Sequence, residues 1–385
     1  MARIDLIDSR IMSEQQDIYQ EIRPYHDSEI SGAIQRLIND DEFTSAIVRF
    51  KFPKLPKIAQ AGLTPLVKIA LKAKLSKLKT VHDVQLEVEK YLTKALDQSS
   101  EGVSYEGLDK LDPNTPYLFI SNHRDIAMDP ALVNYGLHHS KHQTVRIAIG
   151  DNLLKKPSAT ELMKINKSFI VKRSAKAPRE MLKALGLLSS YIKHSLETNN
   201  SIWIAQKEGR AKDGNDFTDP AIIKMIQLEG RKRKLSFADY IHSLRIVPVA
   251  ISYENDPCDI AKAKELHEKA TEGAYQKSEF EDIDSIVKGI IGYKGRISVR
   301  FGQVIDQDHD IESPDQLAAE LDAQIHDLYE LYPINYLAAG IEHESITEKT
   351  KQQLQSKLDQ LPKEAQSLLI ASYANPYKNR QQDHK

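Results

Sequence analysis

The sequence predicts an α/β fold: a mixed, mostly parallel sheet flanked by helices, with helical extensions at both ends. Three observations carry this. Short apolar runs recur through the middle of the chain, at 117–120, 145–149, 168–171, 201–205, 245–252 and 296–301. Runs of that length bounded by polar residues read as buried strands. Helix-length stretches lie between them, and strands alternating with helices indicate an α/β architecture. Before and after this region the chain reads as helix alone.

The chain has 385 residues, 41% hydrophobic and 28% charged, with a formal net charge of −2. This is a soluble, globular composition that can bury a sizeable core, and the length exceeds what one ordinary domain needs. The near-neutral balance gives no nucleic-acid signal. The single cysteine, Cys258, excludes an intrachain disulfide and a cysteine-rich metal site. No metal cluster is evident. The opening MARIDLIDSR is charged and lacks the apolar core of a signal peptide, so no targeting segment is expected. The best candidate span, 63–78, is interrupted by Lys68, Lys72, Lys74 and Lys77. No membrane-spanning helix is expected, and any membrane contact would be peripheral.

Residues 1–48 read as polar and helical, with one amphipathic helix announced by Asp27-Ser28 and carried by 30–37. The window 49–79 holds Arg49, Lys51, Lys54, Lys57, Lys68, Lys72, Lys74, Lys77 and Lys79, and no acidic residue. Phe50, Phe52, Leu55, Ile58, Leu66, Val67, Ile69 and Leu71 are interleaved with them. A basic segment of this kind suits an anionic lipid surface. The plain alternative is a half-buried helix rimmed by lysines. A mixed-charge helix follows over 81–96, then the turn cluster 97–100. Residues 103–111 read as an edge strand and turn, closed by Asp112-Pro113-Asn114. The regular alternation then begins. Strand 117–120 precedes helix 130–137, strand 145–149 a helix near 160–165, and strand 168–171 a long helix over 178–198. Strand 201–205 leads through a glycine-bearing loop to helix 220–228. Strand 245–252 precedes helix 260–271, and strand 296–301 comes last. From Pro314 onward the chain reads as helices broken by Pro333, Pro362 and Pro376. There is no internal repeat or low-complexity tract. The expected division is a helical region over 1–100, an α/β catalytic domain over 101–310 and a helical extension over 311–385.

Four loops at strand ends bear chemistry. The first strand runs into Ser121-Asn122-His123-Arg124-Asp125, and Asp129-Pro130 makes an N-cap and first-turn pair for the next helix. An imidazole and two carboxylates thus sit at the C-terminal end of a strand, where open α/β sheets place their ligands. A histidine beside a carboxylate can act as a general base, the carboxylate fixing its tautomer. A helix cap beside an ordinary loop histidine is the bland alternative. The strand 169–171 ends in Lys172-Arg173, with Lys176 close behind, and two cations at a strand end suit a phosphate. Taken alone, they are equally a solvated basic loop. The third loop is Lys207-Glu208-Gly209-Arg210. Gly209 permits a sharp turn or a close approach to a ligand, Arg210 offers a planar fork to an anion, and Glu208 can orient it or bind a hydroxyl. The alternative there is a salt-bridged turn. In the fourth stretch Pro248 interrupts the apolar run 246–251, which points to an edge strand or to a broken strand shaping an apolar groove.

In this order and spacing the blocks SNHRDIAMDP, FIVKR, KEGR and IVPVA resemble the phospholipid/glycerol acyltransferase family, the superfamily of glycerol-3-phosphate and lysophosphatidate acyltransferases. That family has an N-H-x4-D block, a hydrophobic strand ending with Arg, an E-G-[TR] block and an apolar block with a V-P or I-P step. The likeness covers roughly 117–251, and its first and third blocks are specific together. The long helical flanks look closer to soluble and bacterial glycerol-phosphate enzymes than to small membrane-spanning ones. Two departures stand out. From His123 the family spacing falls on Met128, whereas Asp129 comes one residue later and Asp125 three earlier. Asp129 is the preferred partner because its Asp-Pro-Ala-Leu resembles the family's helix start, with Asp125 as the alternative. Lys207 stands where the family commonly has proline.

The resemblance implies direct acyl transfer without a cofactor. A fatty acyl thioester, on coenzyme A or acyl carrier protein, would react with a hydroxyl of glycerol 3-phosphate or 1-acylglycerol 3-phosphate. His123 would take the hydroxyl proton, with Asp129 or Asp125 holding the imidazole. Asn122 or backbone amides at the helix start would stabilise the thioester oxyanion. Arg124, Lys172, Arg173, Lys207, Glu208, Gly209 and Arg210 would bind the acceptor. No covalent acyl-enzyme is needed, so Cys258 is expected to be inert. The expected partners are the acyl thioester, the phosphorylated acceptor, acyl carrier protein and an anionic membrane surface at its cytoplasmic face, with no nucleic acid. Two other classes stay open: a lipid or thioester hydrolase, and a non-catalytic lipid-surface protein that keeps the fold.

Overall fold

The structure is a computed structural model that describes residues 17–174, 177–278 and 281–383. The opening decamer and Lys176 lie outside the described residues. Four helices come first: α1 (Asp27–Asn39), α2 (Asp41–Lys51), α3 (Lys57–Leu75) and α4 (Val81–Ser99). The central region runs β1 (Val103–Glu106), β2 (Leu118–Ser121), α5 (Met128–His139), β3 (Arg146–Gly150), α6 (Pro157–Ile165), β4 (Ser168–Val171), α7 (Pro178–Glu197) and β5 (Ile202–Ala205). It continues through α8 (Pro220–Ile226), α9 (Leu228–Lys232), α10 (Phe237–His242), β6 (Ile246–Tyr253), α11 (Asp259–Glu272), α12 (Glu281–Ile291) and β7 (Ile297–Phe301). Helices α13 (Pro314–Leu328), α14 (Pro333–Ala339), α15 (Glu348–Leu358) and α16 (Lys363–Asp383) follow.

The seven strands form one sheet in the order β1-β7-β6-β2-β5-β3-β4. Every neighbouring pair is parallel except β6 with β7. The sheet is therefore mixed and mostly parallel, as the alternation predicts. The central strands β2, β5 and β6 are buried on both faces, which is why their sequences are almost continuously apolar. The pleat sorts the side chains. Leu118, Ile120, Ile202, Ile204 and Ile246 pack under α7, α8, α10 and α13, with Tyr191, Ile223, Tyr240 and Leu321. Phe119, Trp203, Val247, Val249 and Ile251 face the other way, onto Leu96, Met128, Leu132 and Leu137 of α4 and α5. Strand β1 lies at the edge, as expected.

Two local expectations are corrected. Pro248 does not mark an edge strand, because β6 is hydrogen-bonded to β2 on one side and β7 on the other. On the β7 side, the carbonyls of Ile246 and Pro248 accept from the amides of Ile305 and Gly302. The Pro248 nitrogen faces the same side, and β7 begins pairing only at Val249↔Phe301. The missing N–H thus falls just past the end of a neighbour, where a central strand tolerates proline. Pro376 does not break the last helix either, since α16 runs through it. Nearby, Tyr373 and Asn375 bond to Asp259 and Asp213, and this anchorage offsets a proline cost of roughly 3 kcal/mol.

The flanking helices reach the sheet's ligand end from both sides. Helix α1 shares a small core with Val84 and Ile165, and Arg36 grips the Glu161 carboxylate of α6 at 2.7 and 2.9 Å. Helices α14, α15 and α16 build a separate core around Tyr332, Leu354, Leu369 and Tyr373 that packs on Ala263 of α11.

Candidate active site

Strand β2 sits at the middle of the sheet, between β5 and β6. Its chain leaves the sheet at Ser121 and delivers Asn122, His123, Arg124 and Asp125 to the C-terminal ends of the parallel strands. His123 lines a cleft of about 510 Å³, together with Ile126, Pro130, Gly150, Arg173, Lys207, Glu208, Gly209 and Arg210. The loops after β2, β4 and β5 therefore converge on one space, although in sequence they are many tens of residues apart.

His123 Nδ1 lies 2.8 Å from Asp129 Oδ2. An ionised carboxylate only accepts, so Nδ1 carries the proton and Nε2 is the basic nitrogen. Asp129 is fully buried, a position that is costly for a charge unless donors surround it. Four donors do. Oδ2 also accepts from the amides of Arg124 (2.6 Å) and Asp125 (2.9 Å), and Oδ1 accepts from the Tyr253 hydroxyl (2.7 Å). The start of α5 adds a favourable dipole. The His123 ring meets the Trp203 indole edge-on at 5.8 Å, and the indole N–H is held by Ser121 Oγ. The imidazole is thus aimed from one edge and braced on its face.

Asp125 takes the cap role expected of Asp129. Helix α5 starts at Met128, and Asp125 Oδ1 accepts from the amides of Ala127 and Met128 at 2.9 and 2.8 Å. Burial, and then the charge of Asp129, push the Asp125 carboxyl above its ordinary range. The residue inserted relative to the family spacing lengthens the loop 124–127, and Asp129 still reaches the histidine.

Two expected site residues are placed elsewhere. Asn122 is fully buried: its Nδ2 donates to the Ile251 carbonyl (2.9 Å) and its Oδ1 accepts from the Ile251 amide (2.8 Å). It extends the β2–β6 ladder and is not the oxyanion donor. Among the amides of this loop and helix start, those of Arg124, Asp125, Ala127 and Met128 are taken, because all four point at carboxylates. Arg124 turns away from the cleft. It forms a close ion pair with Asp216, donates to the Gly214 carbonyl (3.3 Å) and lies over the Tyr329 ring. Burial opposes its charge, but the Asp216 carboxylate wins and holds the guanidinium pKa above its ordinary value. Arg124 is a buried tie, not a substrate contact.

The remaining cations do reach the cleft. Lys172 stands at its rim in a close pair with Glu21. Arg173 Nη1 is 3.3 Å from Glu208 Oε1. Lys207 Nζ donates to the Asn215 carbonyl at 2.6 Å. Gly209 takes φ +78°, a left-handed turn that a side chain would strain. Cys258 is buried, and burial pushes its thiol up to about 11, so it is neither exposed nor a thiolate. Among the described residues no His, Cys, Asp or Glu cluster has a metal-holding arrangement.

A second, apolar cavity of about 300 Å³ opens off the cleft. The two share Ile126, Pro130, Ile147, Ile149 and Leu153. It continues between Val88 and Leu92 of α4, Met128 and Tyr135 of α5, and Ile286 and Ile290 of α12. Sequence reasoning missed this cavity, along with Tyr253 and helix α12. The only local signal was the apolar spacing within 281–291.

A sequence model of the family described as Acyltransferase matches residues 102–252, which span the loops that carry His123, Arg173 and Arg210. No curated protein matches the chain. One similar solved structure is the crystal structure of the 1-acyl-sn-glycerophosphate (LPA) acyltransferase PlsC from Thermotoga maritima. It superimposes with a TM-score of 0.38 at 13% identity, over 77% of this chain and 91% of that one, too loosely to carry an argument. Residues 102–252 thus match an acyltransferase domain, and the four ordered blocks all lie within it.

Proposed function

We propose that the enzyme moves a fatty acyl group from a thioester, on coenzyme A or acyl carrier protein, to a hydroxyl of glycerol 3-phosphate or 1-acylglycerol 3-phosphate. His123 Nε2 removes the hydroxyl proton as the oxygen attacks the thioester carbonyl. The tetrahedral intermediate collapses, the C–S bond breaks, and the imidazolium returns the proton to the departing thiolate. Asp129 keeps Nδ1 protonated and balances the imidazolium charge. Arg173, Lys207 and Arg210, on the two loops facing His123, take the acceptor's phosphate. The apolar cavity takes the acyl chain.

The observation that carries this reading is the position of His123. It stands between an apolar cavity and a cationic loop pair, so a base lies where a lipid tail and an anionic head would meet. The test is an acyl-CoA assay across a panel of acceptors, repeated with His123→Ala. General-base catalysis contributes about 10²–10⁴-fold, so the variant should lose at least a hundredfold in rate with its fold intact. Thiol release that ignores the acceptor would instead mark a hydrolase.

We further propose that the enzyme works on the cytoplasmic surface of an anionic membrane, held there by 49–79. In α3 no side chain is buried. Ile58 is 89% exposed, Ile69 66% and Leu66 63%, and Phe50 at the end of α2 is 64% exposed. Among the described residues no helix is long and apolar enough to cross a membrane. Glu42 of α2 pairs closely with Lys156, just beyond the loop whose Asn152 and Leu153 line the cleft. This pair ties α2, whose end opens the segment 49–79, close to the cleft.

A further inference from the structure

We propose that Tyr253 is a positioning residue for the reaction, its hydroxyl holding Asp129 in line with the imidazole of His123. The inference rests on the acyl-transfer reading above. Tyr253 is the last residue of β6, two residues beyond Ile251, whose amide and carbonyl are both bound by Asn122. That double bond fixes the register of β6 against the chain leaving β2. Tyr253 Oη consequently arrives 2.7 Å from Asp129 Oδ1. The other donors to Asp129 all meet Oδ2: the imidazole and the amides of Arg124 and Asp125. Among the described residues Tyr253 alone donates to Oδ1. Without it, the carboxylate plane is set by one oxygen shared among three donors.

The surroundings keep the phenol a donor. Burial, with the charges of Asp129, Asp125 and Asp256, pushes the Tyr253 hydroxyl well above its ordinary value. The groups facing this assembly are Asp125 from the loop after β2, Asp256 after β6, Lys262 from α11, Arg124 and Tyr329. Lys262 bonds the Arg124 carbonyl (2.6 Å) and pairs with Asp256, while Arg124 pairs with Asp216. The hydroxyl draws electron density from Asp129. Removing it leaves a more basic carboxylate beside the imidazole, so the imidazolium is better held and His123 titrates at higher pH. The competing account is that Tyr253 merely fills the core beneath α5.

The experiment has a readout that needs no turnover. In chain labelled at histidine, the His123 resonance is assigned with His123→Gln and titrated by NMR in the wild type and in Tyr253→Phe. Its midpoint should rise by about half a unit or more in the variant. With acyl-CoA and acceptor, kcat should fall about tenfold while both KM values stay within about twofold, and the acidic limb of kcat/KM should move up with the imidazole. In an Asp129→Ala background, the same substitution should change the residual rate less than about twofold, because nothing is left to orient. Placing 3-fluorotyrosine at 253 preserves the packing and strengthens the donor, so it should move the midpoint down. An unchanged midpoint in both variants, or equal rate losses in both backgrounds, would make Tyr253 a packing residue. Absence of acyl transfer in the wild type would overturn the functional reading alone, since the titration still judges the tyrosine.

Discussion

The carbonyl of His123 accepts a 2.8 Å hydrogen bond from the amide of Ala211. One backbone bond therefore joins the residue bearing the base to the neighbour of Arg210. Gln206, at the other end of the same loop, donates its amide to the Ser121 carbonyl at 2.8 Å. The base and the cationic loop are stitched together at both ends of the turn around Gly209. If the acceptor's phosphate docks on that loop, its hydroxyl is presented to His123 at a spacing set by backbone, not by flexible side chains.

This relationship makes Arg210 the informative cation. A hydrogen bond to a charged group contributes roughly 1.5–3 kcal/mol, so Arg210→Ala should raise KM for a phosphorylated acceptor about tenfold or more. KM for the acyl thioester should stay near wild type. Arg173 already faces Glu208, so Arg173→Ala should show a smaller rise. A rise confined to the thioester would place Arg210 on the donor instead.

The two aspartates should separate cleanly. Asp129→Asn keeps the shape but removes the charge opposite the imidazolium and puts a donor where three donors converge. Asp125→Asn keeps an acceptor for the amides of Ala127 and Met128. Turnover should fall by about a hundredfold or more for Asp129→Asn and by only a few fold for Asp125→Asn. Stopped-flow thiol release at matched substrate saturation ranks them, and the reverse order would assign the histidine to Asp125.

Gly289 on α12 should be intolerant of a side chain. A Cβ there would lie 2.1 Å from Asp125 Oδ2 and 2.7 Å from its Cγ. Gly289→Ala must push the carboxylate off the helix start, which also carries Asp129. Overpacking of this kind costs about 1–3 kcal/mol, so the melting temperature should drop by several degrees. Shortening the cap with Asp125→Ser in the same chain should recover part of the loss. A melting temperature equal to wild type for the single variant would mean that α12 moves aside freely.

What was legible in the sequence divides along physical lines. The strand 168–171 was readable to the residue because its apolar triplet 169–171 runs straight into Lys172-Arg173. His123 with Asp129 was readable because both lie within one loop and a helix start. Long-range partners were not. Asn122 has the amide of a plausible oxyanion donor, but Ile251, 129 residues on, consumes it. Arg124 resembles a cleft cation until Asp216 claims it. The antiparallel entry of β7 leaves no local mark either, since its apolar run would look the same in either direction. Lys68 and Lys74, read as lipid-facing, pair with Asp41 and Glu87.

The membrane prediction therefore shifts toward the exposed apolar residues and the other lysines. Phe50, Ile58, Leu66 and Ile69 are all well exposed on α2 and α3, and Lys54, Lys57, Lys72 and Lys77 stand among them, exposed. Each cation near an anionic leaflet contributes about 1 kcal/mol, fading over a Debye length of about 8–10 Å. Burying an apolar side chain in the interface contributes about 1.5–3 kcal/mol at most. Two insertions and three cations would together give reversible binding. In liposome flotation the protein should float with anionic vesicles, less at high salt, and little with neutral ones. Ile58→Ser with Leu66→Ser should weaken flotation even at low salt, whereas Lys54→Gln, Lys57→Gln and Lys72→Gln together should remove its salt dependence. Turnover on a short-chain, water-soluble acceptor should be unchanged in both variants, because neither set lines the cleft. Equal flotation with neutral and anionic vesicles would remove the electrostatic part. Flotation that survives both sets of substitutions would move the lipid contact elsewhere on the protein.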